Sequence, residues 1–377
     1  MFGPYEIDYN LQSFLDILGL TQGITLGFLL LLLNYKHHRS TFFLGLYLLL
    51  FSLKLAYFIP KGLNLEHTFP ELFLLPFNFS WLLFPVFFVY TQKISVFSDK
   101  KIKFWVLYPG LASFALQVLI YFQPYSVKLL IADSPMYKLV FTFLGIFYAW
   151  TIGIWNLILL KKHKIEVENT FSSIEYKVLH WARFFLIYSI TTSIIIHLLY
   201  FLSPQNYFFK IIFSIIDLIA IYWVAINGIK QRDVLSVLPK NITKENNADS
   251  STQRIDIPMY SNESHNNFMK EIDKYVKESE CFTQKELTII DLAENLNVHP
   301  KRISTTINSV LCQNFNNYIN ELRIKKAQAL LKSKSSKKLS IEGIGQEVGF
   351  QSKSAFYSAF KKFTGTTPTK YKEKNRL

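Results

Sequence analysis

Long apolar runs separated by short polar connections fill the chain before residue 233. Seven of these runs approach the length of about 20 apolar residues that crosses a hydrocarbon core of about 30 Å. We predict membrane-spanning helices at 11–34, 41–59, 72–90, 104–122, 136–160, 179–202 and 207–228. No Lys or Arg precedes the first run, so we interpret it as a retained helix and not as a signal peptide. The pattern predicts an all-α fold that begins with a transmembrane bundle of about seven helices over 1–232.

The polar and apolar positions change their pattern after this bundle. Residues 233–266 are polar and lack periodicity, which is typical of a flexible linker. In 267–377, apolar residues again recur at helical spacing, with polar residues between them. We therefore predict three parts: a membrane domain, a linker and a separate soluble domain.

Two similar helix pairs are predicted within the soluble domain. Thr288 caps the first helix, Asn297 makes the turn, and a second helix begins at Pro300. The second pair repeats this plan between 340 and 363, with Gly349 at its turn. Residues 315–333 form a long amphipathic helix between the pairs, about 28 Å long at 1.5 Å per residue. That length suits two recognition helices, meaning the second helix of each pair, placed about one DNA turn of 34 Å apart.

The outer faces of the two predicted recognition helices are rich in Lys, Arg, Ser, Thr and Asn. Side chains of these types bind phosphates and base edges in a major groove. On the inner faces we expect apolar residues, among them Ile303, Ile307, Val310 and Leu311 in the first helix. The outward positions are Lys301, Arg302, Thr305, Asn308 and Ser309, and then Lys353, Ser354, Tyr357, Ser358 and Lys361.

Residues 287–371 resemble the double helix-turn-helix of the AraC/XylS transcription regulators. The matching stretches are DLAENLNV, YINELRIKKAQALL, IGQEVGF, SAFYSAFKKFTG and TTPTKY. The resemblance implies a bacterial regulator that binds double-stranded promoter DNA; RNA polymerase and a second copy of the chain, in a homodimer, are the expected protein partners. It implies DNA contacts by Lys301, Ser304 and Thr305 in the first unit and by Lys353, Ser354, Tyr357 and Ser358 in the second. Phosphate contacts are expected from Lys361, Lys362 and the helix N-termini.

Three positions depart from the family pattern. His299 stands where a Ser cap is usual, and Gly345 stands where Ala is usual. Cys312 replaces the Gly that normally ends the first recognition helix, although Cys is poorly suited to a left-handed conformation. We expect these changes to affect local geometry and not the fold.

Composition limits the function further. Half of the residues are hydrophobic and only 18% are charged, which is unusual for a soluble protein. The two cysteines, Cys281 and Cys312, have no metal-binding or redox spacing, so neither a disulfide scaffold nor a metal site is predicted. We find no catalytic motif and predict neither an enzyme nor a cofactor.

The positive charges in the connections predict the orientation, because loops rich in Lys and Arg stay in the cytoplasm. Alternate connections have 12 and 4 such residues. The richer set is Lys36, Arg39, Lys93, Lys100, Lys101, Lys103, Lys161, Lys162, Lys164, Lys177, Lys230 and Arg232. With seven crossings, the N-terminus is expected outside and the DNA-binding domain in the cytoplasm, in a multi-pass protein of the inner membrane.

Three ionisable residues lie inside the apolar runs: Lys54, His197 and Asp217. Such residues usually face the interior of a bundle, because a charge in lipid is costly. One hypothesis is that Asp217 pairs with Lys54 or with a ligand and sets the signalling state. The alternative is that Lys54 extends to the membrane surface and Asp217 is an ordinary polar packing residue.

Three functions fit the sequence. The first is a one-component regulator, in which the membrane region senses an unknown small-molecule or membrane signal and controls DNA binding. The second is a membrane transporter or enzyme whose basic tail docks other molecules. The third is a passive membrane anchor that releases the DNA-binding domain after proteolysis in the linker.

Overall fold

The computed structural model describes residues 9–37, 41–66, 68–98, 101–202, 206–231, 262–333 and 339–374. The chain divides into two compact units, the first formed by Met1–Lys162 with Leu179–Pro239. His163–Val178 and Lys240–Leu377 form the second. Every regular element in the described ranges is a helix, which confirms the predicted all-α class. His163–Val178, which lies between the two stretches of the first unit in the sequence, thus belongs to the second unit.

The first unit is built from apolar helices. They are α1 (Leu11–His37), α2 (Phe42–Ala56), α3 (Ile59–Gly62), α4 (Leu83–Ile94), α5 (Tyr108–Tyr121), α6 (Tyr125–Asp133), α7 (Pro135–Lys138), α8 (Gly145–Thr170), α9 (His180–Leu202) and α10 (Tyr207–Lys230). A π-helical turn, Leu139–Leu144, joins α7 to α8. Within the described residues, six helical stretches have the length and apolar composition to cross a membrane. They coincide with six of the seven predicted runs.

The predicted helix at 72–90 is wrong. This region starts with a short 3-10 helix, Pro70–Leu72, continues without helix, and becomes helical only at α4. Pro76 and Pro85 explain the break, since proline lacks a backbone N–H and clashes with the carbonyl four residues earlier. Pro85 lies in the first turn of α4, where proline is tolerated. Most residues of α4 are buried, so this short helix lies inside the bundle.

A polar network holds the non-helical stretch that precedes α4. The Gln117 amide accepts from the Asn78 N–H at 3.0 Å and donates to the Asn78 carbonyl at 2.9 Å. The side chains of Asn78 and Trp81 donate to the carbonyls of Phe141 and Val140, at 3.1 and 3.0 Å. Both carbonyls belong to the π-helical turn. The network supplies hydrogen-bond partners to backbone groups of this irregular segment. Such partners are needed in an apolar solvent, where unpaired N–H and C=O groups are costly.

Glycines at four-residue spacing bring α1 and α2 close together. A Cβ at Gly23 would lie 1.8 Å from the Ser52 hydroxyl, and one at Gly27 would lie 3.1 Å from the Gly45 carbonyl. Small residues with this spacing are typical of helices that approach closely in a membrane. The fit leaves no room for a larger side chain along this face of α1.

The second unit contains seven helices in its described part. They are α11 (Asn262–Glu278), α12 (Ile289–Leu296), α13 (Pro300–Leu311), α14 (Phe315–Lys332), α15 (Ile341–Glu347), α16 (Lys353–Thr364) and α17 (Pro368–Lys374). Helix α14 is the predicted long helix. Its first half, with Phe315 and Ile319, packs into the core of α11–α13. Its second half, with Ile324 and Leu331, packs into the core of α15–α17. One helix therefore holds two small lobes together.

The predicted linker lies mainly outside the described residues. Positions 233–261 belong to that undescribed part, while 262–266 already form the start of α11. Helix α11 is an addition to the first lobe that the helix-pair pattern did not include. Its buried Phe268 and Ile272 contribute to the same core as α12 and α13.

Candidate nucleic-acid interface

The first helix pair has the local geometry that the sequence predicts. The Thr288 hydroxyl accepts from the Asp291 N–H at 3.2 Å, and the Asp291 carboxylate accepts from the Thr288 N–H at 2.7 Å. This reciprocal capping box fixes the start of α12. Asn297 ends α12 in the left-handed conformation, with φ of 52°. The imidazole of His299 then accepts from the Lys301 N–H at 3.2 Å, so His replaces the usual Ser cap of α13.

The second helix pair repeats the arrangement. The hydroxyls of Ser340 and Ser352 cap α15 and α16, as predicted. Gly349 makes the turn between them with φ of +103°. A Cβ at this position would lie 2.6 Å from the Thr283 carbonyl oxygen, which belongs to the first lobe. Glycine is therefore required here both by the backbone conformation and by the close approach of the two lobes.

The departures at Gly345 and Cys312 have structural consequences. A Cβ at Gly345 would lie 2.8 Å from the Phe356 ring, so this glycine makes room for an aromatic side chain of α16. Cys312 ends α13 in the left-handed conformation despite its side chain, with φ of 52°. Its side chain is exposed, so packing does not require a cysteine at this position.

The predicted contact residues of α13 differ in their exposure. Lys301 and Thr305 are exposed and Ser304 is half-buried. Arg302 stacks on the Phe268 ring, with its guanidinium carbon 4.2 Å from the ring centroid. This residue therefore packs against α11, which the sequence pattern did not predict. Arginine can keep such a stack and still offer N–H groups at its edge.

One prediction about the inner face of α13 needs correction, and one buried residue of this helix was not predicted. Leu311 was expected inside, but 37% of it is exposed because α13 ends there. Thr306 is fully buried, and its hydroxyl lies 3.2 Å from Nδ1 of His265 on α11. Helix α11 occupies the side of α13 that the pattern left free. The first recognition helix consequently presents a narrower polar face than predicted.

The second recognition helix, α16, presents the predicted residues more fully. Its exposed side chains are Lys353, Ser354, Ser358, Lys361 and Lys362. Tyr357 is half-buried, and its hydroxyl lies 3.2 Å from the Thr369 hydroxyl. The Lys353 ammonium pairs with Glu342, a hydrogen bond that raises the pKa of Lys353. Lys362 donates to the Asn317 side chain at 2.7 Å.

The comparison with family models agrees with two helix pairs in this part of the chain. A family model described as a helix-turn-helix domain matches residues 292–374. This part of the chain is an AraC-type helix-turn-helix domain. Among solved structures, the chain is similar to the C-terminal domain of AraT, a response regulator from Geobacillus stearothermophilus. The identity is 31%, the coverage 29% of this chain and 85% of that chain, and the TM-score 0.26.

A second solved structure, a protein of unknown function from Listeria innocua, is 21% identical. The match covers 29% of this chain and 97% of that chain, with a TM-score of 0.26. No curated protein matches the chain.

The AraC-type domain contains one residue whose role the sequence did not reveal. Arg323 on α14 is fully buried and donates to the carbonyls of Phe282 and Gln284, at 2.6 and 2.7 Å. Burial lowers its pKa to about 10. In the sequence, the buried role of Arg323 is indicated only by the position of a basic residue on the apolar side of a predicted helix, which is a weak signal.

Among the predicted intramembrane residues, Lys54 and Asp217 form an ion pair of 3.0 Å between α2 and α10. Lys54 also lies over the Phe51 ring, 4.7 Å from its centroid. His197 is 2.6 Å from the Ser193 carbonyl on its own helix. The sequence prediction missed Asp16 on α1, which is only 4% exposed and interacts electrostatically with both members of the pair.

Proposed function

We propose that this chain is a membrane-embedded one-component transcription regulator, in which the apolar helices control promoter binding by the AraC-type domain. One observation supports this most strongly. The same chain combines six apolar helices of membrane-spanning length with two capped recognition helices that expose Lys, Ser and Thr side chains. Signal detection and DNA binding then require no second protein.

The exposed residues suit the two kinds of DNA contact. Lys353, Ser354 and Ser358 lie on one face of α16, where side chains reach base edges in a major groove. Lys361 and Lys362, in the last turn, are placed to bind phosphates. The ion pair of Lys353 with Glu342 is solvent-exposed, so exchanging it for a DNA contact costs little. The first recognition helix contributes Lys301, Ser304 and Thr305, with Arg302 at the edge.

The broken segment before α4 supports an odd number of membrane crossings. The twelve residues of α4 span about 18 Å, and residues 73–82 before it form turns and a bend with a few irregular positions. We propose that this segment and α4 together complete one crossing of the hydrocarbon core of about 30 Å, because the network of Asn78 and Gln117 supplies partners to its backbone. Six complete helices and this segment make seven crossings, which agrees with the distribution of Lys and Arg. We accordingly propose an outside N-terminus and a cytoplasmic DNA-binding domain in the inner membrane.

The Lys54–Asp217 pair supports a sensing role for the membrane region. It joins α2 to α10, and α10 is the last apolar helix before the AraC-type domain. A ligand or membrane state that separates the pair would change the packing of that helix. Contact with RNA polymerase and formation of a homodimer remain predictions from the family resemblance.

The test begins with genome-wide mapping of DNA bound by the intact protein. The binding of a mapped fragment and of a scrambled fragment is then measured with the full-length protein in lipid nanodiscs. We expect specific binding that weakens steeply with salt. Lys353→Ala should weaken specific binding by about 5- to 150-fold, the cost of one base-contacting side chain of about 1–3 kcal/mol.

Lys277→Ala is the matched control. Lys277 pairs with Asp273 on the surface of α11, so its replacement removes the same charge outside the recognition helices. Its affinity should stay within about twofold of the unsubstituted protein. Equal binding of mapped and scrambled DNA, or equal effects of the two substitutions, would contradict the proposed function.

A further inference from the structure

The segment His163–Val178 connects α8 to α9 in the sequence but belongs to the compact unit of the AraC-type domain. The helical stretch Pro135–Thr170 has 36 residues and is about 54 Å long at 1.5 Å per residue. That is far more than the hydrocarbon core of about 30 Å requires. One charged residue, Lys138, lies near the start of this stretch and the next one is Lys161, so we expect the end of α8 to extend beyond the hydrocarbon core. The segment is therefore available to the DNA-binding domain.

Backbone hydrogen bonds join this segment to the start of α12. Phe171 and Thr288 form an antiparallel β-bridge, and the Ser172 N–H donates to the Leu287 carbonyl at 3.0 Å. The Asn316 side chain donates to the Ser172 carbonyl at 2.7 Å. Phe171 and Ser172 are both buried. The segment thus adds to the domain as an extended peptide would, with main-chain hydrogen bonds fixing its register.

The buried Arg323 completes the attachment. Besides the two carbonyls of its own lobe, its guanidinium donates to the Ser172 hydroxyl at 3.1 Å. Lys177, also buried, pairs with Glu286 at 2.9 Å. These contacts use groups on three different parts of the domain, the turn after α11, the start of α12 and the middle of α14. Together they form a binding surface for this peptide on the domain.

Acidic and polar side chains of the segment contact the predicted DNA-binding surface. Glu175 accepts a hydrogen bond from the Ser352 hydroxyl, which is the N-cap of the recognition helix α16. Asn169 accepts from Asn308 on the outer face of α13 at 3.5 Å. A helix N-terminus attracts anions, and in a DNA complex the anion would be a backbone phosphate. In this structure the Glu175 carboxylate binds the hydroxyl that caps this N-terminus.

We propose that His163–Val178 is a docking peptide for the AraC-type domain and that DNA displaces this peptide, including Glu175 at the N-terminus of α16. This inference rests on the proposed function, since it assigns the regulatory contact of the same DNA-binding surface. A signal that moves α8 or α9 would withdraw or seat the peptide, and the affinity for DNA would change with it. The coupling would then run through this peptide and not through the linker at 233–261.

The test compares two substitutions in the full-length protein in nanodiscs. Glu175→Gln removes the charge at the N-terminus of α16, and we expect operator affinity to rise about three- to tenfold. Glu166→Gln is the matched control, because Glu166 is exposed on the same segment and removes the same charge. Its affinity should change by less than about twofold. Equal effects of the two substitutions would overturn the competition.

Hydrogen exchange of the Ser172 amide separates this proposal from the proposed function. We expect protection of this amide in the free protein and at least about tenfold faster exchange when operator DNA saturates the domain. Exchange at the rate of an unstructured peptide in the free protein would overturn the docking. Protection that operator DNA leaves unchanged would overturn the competition. A protected amide in a protein that binds no DNA specifically would overturn the proposed function and the competition while confirming the docking.

Discussion

Replacing Gly349 with Ala tests the turn on which the second recognition helix depends. Gly349 has φ of +103°, a conformation that side-chain-bearing residues rarely adopt. The added Cβ would lie 2.6 Å from the Thr283 carbonyl oxygen and 3.0 Å from Nε of Arg323. The first of these atoms is backbone and the second is held by hydrogen bonds, so neither can move aside without loss. The substitution should separate the two lobes locally.

The structure gives the magnitude from two contributions. The backbone conformation costs about 1–3 kcal/mol for a non-glycine residue. Forcing a methyl group into a filled space costs a further 1–3 kcal/mol or so. Gly349→Ala should therefore destabilise the second lobe by about 2–6 kcal/mol. Gly365 offers a matched control, because its φ is +73° but no atom lies within 4 Å of an added Cβ. Gly365→Ala should cost only about 1–2 kcal/mol.

The assay is native-state hydrogen exchange of the full-length protein, read at the core amides of Phe356 and Phe360. Both residues are fully buried, and their opening reports the stability of the second lobe. The expected difference between the two alanine variants is at least about 1 kcal/mol, since only Gly349 has the steric contact. Equal destabilisation by the two substitutions would refute the assigned role of the contact with Thr283. The DNA affinity of Gly349→Ala should fall in parallel.

Two further substitutions test the membrane pair and the first helix cap. Asp217→Asn leaves Lys54 without its carboxylate partner. We expect the free energy of unfolding, measured in detergent, to fall by about 1–3 kcal/mol and the expression of target genes to change. The exchanged pair Lys54→Asp with Asp217→Lys should recover part of the stability, and unchanged expression in Asp217→Asn under all stimuli would remove the sensing hypothesis. Thr288→Ala breaks the capping box and should lower the free energy of opening of α12, measured by hydrogen exchange, by about 1–2 kcal/mol. Thr288→Ser keeps the hydroxyl and should lower it much less. A full loss in the serine variant would show that the methyl group, and not the hydroxyl, is responsible.

Local chemistry made much of the C-terminal fold predictable. A Ser or Thr hydroxyl before an apolar repeat is a common helix cap, and Thr288, Ser340 and Ser352 all cap helices here. The turns at Asn297 and Gly349 follow from the few residue types that tolerate positive φ. These features depend on residues within one or two helical turns, so a single sequence contains the necessary information.

Features that depend on distant parts of the chain were not predictable. The run at 72–90 is as apolar as its neighbours, yet its prolines and the amide groups of Asn78 and Gln117 hold it in a broken form. Arg302 and Thr306 pack against α11, which lies more than 20 residues earlier in the sequence. Helical periodicity identifies the apolar face of a helix. It does not show which other helix packs against the polar residues of that helix.

The docking peptide also changes the interpretation of the passive-anchor hypothesis. A protease that cuts within 233–261 removes the covalent connection after α10, but it leaves His163–Val178 in place between α8 and α9. The hydrogen bonds of Ser172 with Leu287 and Arg323 do not involve the cleaved residues. Because the buried guanidinium would lose a partner on undocking, release of the domain has a free-energy cost that cleavage does not remove. We therefore expect the docked peptide to hold the domain after proteolysis, until a signal acts on the peptide itself.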